Sequence, residues 1–223
     1  MNIPKKIVHS GIFLPLFLTG LLAAAQALYA ADYDPLLTEL KEEDWQTRFF
    51  TASEITNLND ESIYNALVSL VGNTAIDWRL RIRGIRILSK TSNPRSADVL
   101  TEIFYNSFLN NECPAIKTNL ALALGNFPDD TRVVDALISG INDRELQVRE
   151  ASILSLGSPG NSRAVPYLLD IFSDNNFTIR VNVIRSLAKI GDRRAVPFLE
   201  AVVDNVGDPI IKNEASLALT RLK

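Results

Sequence analysis

The sequence predicts an all-α chain, an α-solenoid of about six stacked antiparallel helix pairs, and three recurrences predict it. Arg163-Ala164-Val165-Pro166-Tyr167-Leu168 returns 31 residues later as Arg194-Ala195-Val196-Pro197-Phe198-Leu199. Asp44-Trp45-Gln46-Thr47-Arg48 returns 33 residues later as Asp77-Trp78-Arg79-Leu80-Arg81. An apolar residue followed by a basic one recurs as Leu80-Arg81, Ile116-Lys117, Val148-Arg149, Ile179-Arg180 and Ile211-Lys212. Self-similarity at such a period marks an array in which each unit covers its neighbour's apolar face.

The first thirty residues lie outside this pattern. Lys5 and Lys6 precede an apolar run from Ile12 to Ala25, and small residues follow at Ala25-Gln26-Ala27 and Ala30-Ala31. This is the layout of a secretory signal peptide, so residues 1–30 are expected to be removed after Ala27 or Ala30. Retention as an anchor is the competing reading, because residues 10–31 are uncharged and a spanning helix needs about 20 apolar residues. Pro15, Gly20 and Gln26 weigh against it. Residues 31–223 are then the solenoid.

Unit by unit, a first helix opens at Asp60-Glu61, Arg95-Ser96, Arg132-Val133, Arg163-Ala164 and Arg194-Ala195, and a degenerate first unit surrounds Thr47-Arg48. The apolar-basic pair lies in the first turn of each second helix. Beyond it, Val148, Ser152, Ser155 and Leu156, or Ile179, Val183, Ser186, Leu187 and Ile190, keep the spacing of one helix face and define its core stripe. Asp208-Pro209 and Asp129-Asp130 read as helix starts, since a carboxylate accepts from the free N–H groups of a first turn. Gly157, Gly160 and Gly191 are expected to close second helices, where a left-handed residue is often required.

These residues resemble HEAT repeats, specifically the short HEAT-like repeats first associated with phycobilisome lyases, whose second helix reads roughly V-R-x-x-A-x-x-A-L-G-x-I-G. Residues 132–223 follow that pattern closely. Residues 33–131 follow it loosely, with Gly84 and Leu120 in the small-residue slot and spacings stretched to 33 and 36. The resemblance implies an α-solenoid with its second helices on the concave face. It also implies a family of scaffolds, adaptors and a few chromophore-handling proteins, so fold does not by itself name the activity.

Composition narrows the chemistry. The leader holds two of the 23 basic residues, none of the 26 acidic ones and the only histidine, His9; the mature chain then has 21 basic residues against 26, a net charge of −5, and no histidine. This argues against an imidazole base and against histidine-ligated zinc, so no enzyme activity, cofactor or metal is expected, and an acidic chain is not expected to bind nucleic acid. Cys113 is the single cysteine, so no internal disulfide forms. Asp143 with Arg149, and Asp174 with Arg180, recur with the repeat and read as structural ion pairs between a loop and its own second helix.

Counting the apolar residue before the basic one as position zero, positions two, three, six and ten of each second helix are expected to face away from the core. The candidate partner-binding residues are therefore Arg83, Arg86 and Lys90; Asn119, Leu122 and Asn126; Glu150 and Leu154; and Asn182, Arg185 and Lys189. They outline a groove with apolar points at Leu122 and Leu154 between basic ends. Residues 79–95 add six basic residues and no acid, whereas residues 32–61 hold nine acids and two basic residues. The expected function is a non-enzymatic, exported protein–protein interaction scaffold, periplasmic or secreted, that takes a protein partner with an acidic or amphipathic segment. A lyase-like chromophore handler and a structural component of an envelope assembly are the alternatives, and the membrane enters only if the leader is retained.

Overall fold

The computed structural model describes residues 61–91, 93–110 and 112–222, and of Ser62 and Ile63 the backbone alone. Ten α-helices alternate along them: α1 Glu61–Gly72, α2 Trp78–Leu88, α3 Arg95–Tyr105, α4 Pro114–Leu124, α5 Thr131–Gly140, α6 Leu146–Leu156, α7 Val165–Ile171, α8 Phe177–Ile190, α9 Val196–Asn205 and α10 Pro209–Leu222. A 3-10 turn at Arg193–Ala195 leads into α9. No strand occurs among the described residues. These are five of the expected pairs; the leader and the unit around Thr47-Arg48 lie outside the described residues.

Local chemistry sets the helix boundaries. Side chains of Asp77, Asp130 and Asn176 cap α2, α5 and α8 by accepting from Arg79, Arg132 and Ile179 N–H, and Asp208 accepts from both Ile210 and Ile211 at the start of α10. Pro114 begins α4 without needing a donor. At the far end of α8, Gly191 has φ 79°, the left-handed conformation that glycine adopts without strain. Gly157 differs from expectation. Its φ is −72°, so its requirement is not handedness but room: a Cβ there would lie 2.7 Å from Ser186 Oγ and 3.0 Å from Ser186 Cα on the next second helix.

Packing runs in two layers. Each first helix lies against its own second helix, and α2, α4, α6, α8 and α10 also pack successively on one another. Among the first helices, only α3 and α5 pack directly on one another to any extent, and less than the second helices do. The second helices are thus the more continuously packed of the two layers. Between the layers lie Leu67, Leu88, Leu100, Ile116, Leu120, Val148, Leu156, Leu168, Ile179, Leu187, Leu199 and Ile211, all essentially sealed from solvent. Burial of this apolar surface, at about 25 cal/mol per Å², is the driving force for stacking.

Polar staples join successive units. On the first-helix side, Arg95 reaches Glu61 at 2.6 Å, Arg132 reaches Asp98, and Arg163 reaches Asp135 at 2.6 Å. The pattern ends where Pro166 stands in the place of Asp98 and Asp135, three residues after the unit's first arginine. Arg194 bonds the Ser162 carbonyl at 2.6 Å instead. That last joint is also filled by Phe172 and Phe198, packed edge to face at 4.9 Å.

A candidate partner-binding surface on the second helices

The second helices present fewer open positions than their periodicity suggests. Position six is exposed throughout, as Arg86, Leu122, Leu154, Arg185 and, in α10, Leu217. Position ten is exposed at Lys90, Asn126 and Lys189 and half-buried at Ser158. From α2 to α8, positions two and three are half-buried or buried: Arg83, Asn119 and Glu150 are partly covered, and Asn182 is only 8% exposed. Asn182 is therefore no contact residue for a partner. A second helix in a solenoid is flanked by two others, and the neighbours cover the edges of its outward stripe.

The register of that coverage is visible in two bonds. Arg86 Nε donates to Asn119 Oδ1 at 3.0 Å, and Arg185 makes a two-pronged contact with Glu214 at 3.1 and 2.5 Å. In both, position six of one helix reaches over position three of the next. Arg185 holds the Glu214 carboxyl below its usual range, chiefly through that hydrogen bond. What remains open is a ridge of position-six side chains with position ten beside it. Its three leucines, Leu122, Leu154 and Leu217, are 47%, 39% and 51% exposed. Leu217 was within reach of the same count from Ile211.

The loop aspartates take partners across units, which corrects the expected pairing. Asp143 Oδ2 accepts from Lys117 Nζ of the preceding unit at 2.5 Å, and Asp174 faces Arg149 of the preceding unit at 3.7 Å. Arg149 touches Asp143 only through its backbone carbonyl, at 3.1 Å. Arg180 stacks on the Phe172 ring. Asp143 and Asp174 each also accept from the N–H two residues on, so one carboxylate both shapes its loop and grips the previous helix. Burial works against the charge of Asp143, but the Lys117 and Glu145 N–H groups outweigh it and hold the carboxyl below its ordinary range.

Arg81, the basic residue of α2, is fully buried and finds carbonyls instead of a carboxylate. It donates from Nε to Val71 O at 3.0 Å and from its second terminal nitrogen to Val71 O and Leu109 O. Desolvation pulls its pKa below the usual arginine value. It ties α1 to the loop that precedes α4. Cys113 caps that helix without a side-chain hydrogen bond and is partly exposed. Among the described residues, no cluster of three His, Cys, Asp or Glu side chains is disposed to hold a metal, and no helix is long and apolar enough to cross a membrane.

A family comparison agrees with this repeat organisation. The family profile described as HEAT repeats matches residues 33–108, 106–178 and 134–220. Among solved structures, human deoxyhypusine hydroxylase in complex with glycerol is similar at 15% identity over 94% of this chain and 88% of that chain, with a TM-score of 0.43. Computationally designed armadillo repeat proteins for modular peptide recognition are similar at 15% identity over 94% and 95%, with a TM-score of 0.44. No curated protein matches the chain in sequence.

Proposed function

The chain belongs to the HEAT-repeat family, and from that premise we propose that it is an exported, non-enzymatic adaptor that binds a protein partner along its concave second-helix face. The repeat fold itself is suited to protein interaction. The observation that carries the more specific reading is the set of exposed leucines at one register position of the second helices, the neighbouring pair Leu122 and Leu154 and, beyond Arg185, Leu217. Exposed apolar side chains scattered singly need no explanation, but neighbouring ones held at one register on a rigid surface are what a partner's apolar residues require.

Export rests on the leader, and the absence of catalysis on the lack of histidine in residues 31–223. The sequence resemblance extends to lyase-type repeats, yet a leader that carries the chain out of the cytoplasm separates it from pigments assembled there.

The test is site-specific photocrosslinking in the native host, with the crosslinker placed at Leu154 on a second helix or at exposed Tyr167 on a first helix. A discrete adduct from Leu154 and none from Tyr167 supports the reading; equal adducts, or none from Leu154, refute it. Mass determination of the same product reads out the start of the mature chain, and a product that begins at Met1 refutes leader removal.

A further inference from the structure

The two helix layers carry opposite charge. The second helices α2, α4, α6, α8 and α10 hold eleven Lys and Arg residues against two acids, Glu150 and Glu214, whereas the first helices α1, α3, α5, α7 and α9 hold Arg95 and Arg132 against seven Asp and Glu residues. The whole chain is acidic, with a net charge of −3, so an even scatter would leave both layers negative. Cations at position one serve the joints between units, as Arg81, Lys117 and Arg149 do. Those at positions six and ten reach the open face. Read across all five second helices, these ten positions hold five cations, Arg86, Lys90, Arg185, Lys189 and Arg221, with three leucines, two uncharged polar residues and no acid. A field of one sign favours and hastens the approach of the opposite one.

The chain itself shows what this surface accepts. Glu214, at position three of α10, is gripped by Arg185 of α8 at 3.1 and 2.5 Å, and Arg221 adds attraction from its own helix. Paired bonds of this kind are the strong form of contact between a guanidinium and a carboxylate. The other acid, Glu150, is half-buried at position two. Arg185 is thus engaged, whereas Lys90, Lys189 and Arg221 form no salt bridge among the described residues. Between the cationic ends, Leu122, Asn126, Leu154 and Ser158 carry no charge. A uniform polyanion would lay charge against the two leucines with no cation to meet it. A protein segment can alternate its chemistry.

We propose, on the adaptor reading above, that the second-helix face binds an acidic protein segment that also carries apolar side chains, its carboxylates taken by Lys90, Lys189 and Arg221 and its apolar groups by Leu122, Leu154 and Leu217. Glu214 competes with that segment for Arg185 from within the chain.

The crosslinker at Leu154 reads the partner's chemistry directly. Digestion of the adduct and mass spectrometry identify the attached segment, in which Asp and Glu are expected to outnumber Lys and Arg. A labelled synthetic copy of that segment is then titrated against the full chain by fluorescence anisotropy. Its affinity should fall roughly tenfold or more in Lys90→Glu/Lys189→Glu/Arg221→Glu, and by a similar factor when every Asp and Glu of the copy is replaced by Asn and Gln. It should rise about threefold in Glu214→Gln, which frees Arg185 and removes a like charge. All these substitutions fall on side chains at the surface, and circular dichroism checks that each variant keeps its helicity. An attached segment that is neutral or basic, an affinity unmoved by charge reversal, or weaker binding in Glu214→Gln overturns the proposal and leaves the adaptor reading standing. An adduct with a lipid or polysaccharide, or no adduct from Leu154, removes both.

Discussion

Replacing Gly157 with alanine tests how closely the second helices must approach. In most helix-terminal settings with ordinary φ, such a change stabilises by about 0.4–1 kcal/mol, because the unfolded chain loses freedom. Here the new methyl would meet Ser186 Oγ at 2.7 Å, its Cβ at 2.9 Å and its Cα at 3.0 Å. The Oγ can rotate away, but only by leaving the Ile153 carbonyl to which it donates at 2.9 Å. The Cα cannot move unless α6 and α8 separate. Overpacking of this kind costs about 1–3 kcal/mol, and the lost buried hydrogen bond costs about 1 kcal/mol more. Less the unfolded-state gain, the net loss is about 1–3 kcal/mol, or roughly 2–12 °C in Tm at the 2–4 °C per kcal/mol expected for a chain of this size. Gly72→Ala is the control, since nothing lies within 4 Å of a Cβ at that position; it should raise Tm slightly. Thermal unfolding followed by circular dichroism at 222 nm measures both. If Gly157→Ala melts at or above the wild type, close approach does not hold α6 against α8.

Other perturbations probe separate layers. Leu187→Ala removes a fully buried side chain from α8 and should cost about 2–5 kcal/mol in chemical denaturation; an unchanged midpoint would take Leu187 out of the core. Leu154→Asp should leave helicity intact and shift stability by less than about 1 kcal/mol while abolishing the adduct formed by a crosslinker placed at Leu122, and unfolding of that variant would show the phase of α6 to be wrong. Asp143→Asn keeps the oxygen that accepts from Glu145 but removes the charge facing Lys117. Because the Asp143 pKa is depressed in the folded state, its contribution is complete above the unfolded carboxylate value, about 4, and disappears as pH falls through the lower folded value. The variant should therefore be about 1–2 kcal/mol less stable at pH 7, a partly buried pair lying between exposed and sealed ones. The gap should close as the pH falls through the folded value; a gap independent of pH would assign the loss to packing.

The repeat made most of the fold legible. The stripe through Ile179, Val183, Ser186, Leu187 and Ile190 is buried throughout, and Asp130 and Asp208 cap the helices they were expected to begin. Periodicity tells which positions are equivalent, but not which copy a side chain reaches. Asp143 is six residues from Arg149 and 26 from Lys117, and only the stacking geometry selects the more distant cation. The same limit explains Asn182: an isolated amphipathic helix would expose it, whereas a helix flanked on both sides hides it. Gly157 looked like a helix terminator because helix ends and helix contacts both favour glycine, and only the approach of Ser186 separates the two causes. The buried role of Arg81 had no signal, since its partners are main-chain carbonyls.

The cross-unit aspartates also bear on how the chain breaks. Pulled from its two ends, a stacked array carries tension through its joints in series. Those on either side of α6 are fastened by Lys117–Asp143 and Arg149–Asp174, whereas the one before α9 relies on the Phe172–Phe198 aromatic contact, the Arg194 bond to a carbonyl and the exposed Arg185–Glu214 pair. Protonation of Asp143 slackens the Lys117 fastener and protonation of Glu214 the exposed pair, whereas the aromatic contact does not titrate, so the share of the load that each joint carries becomes a function of acidity.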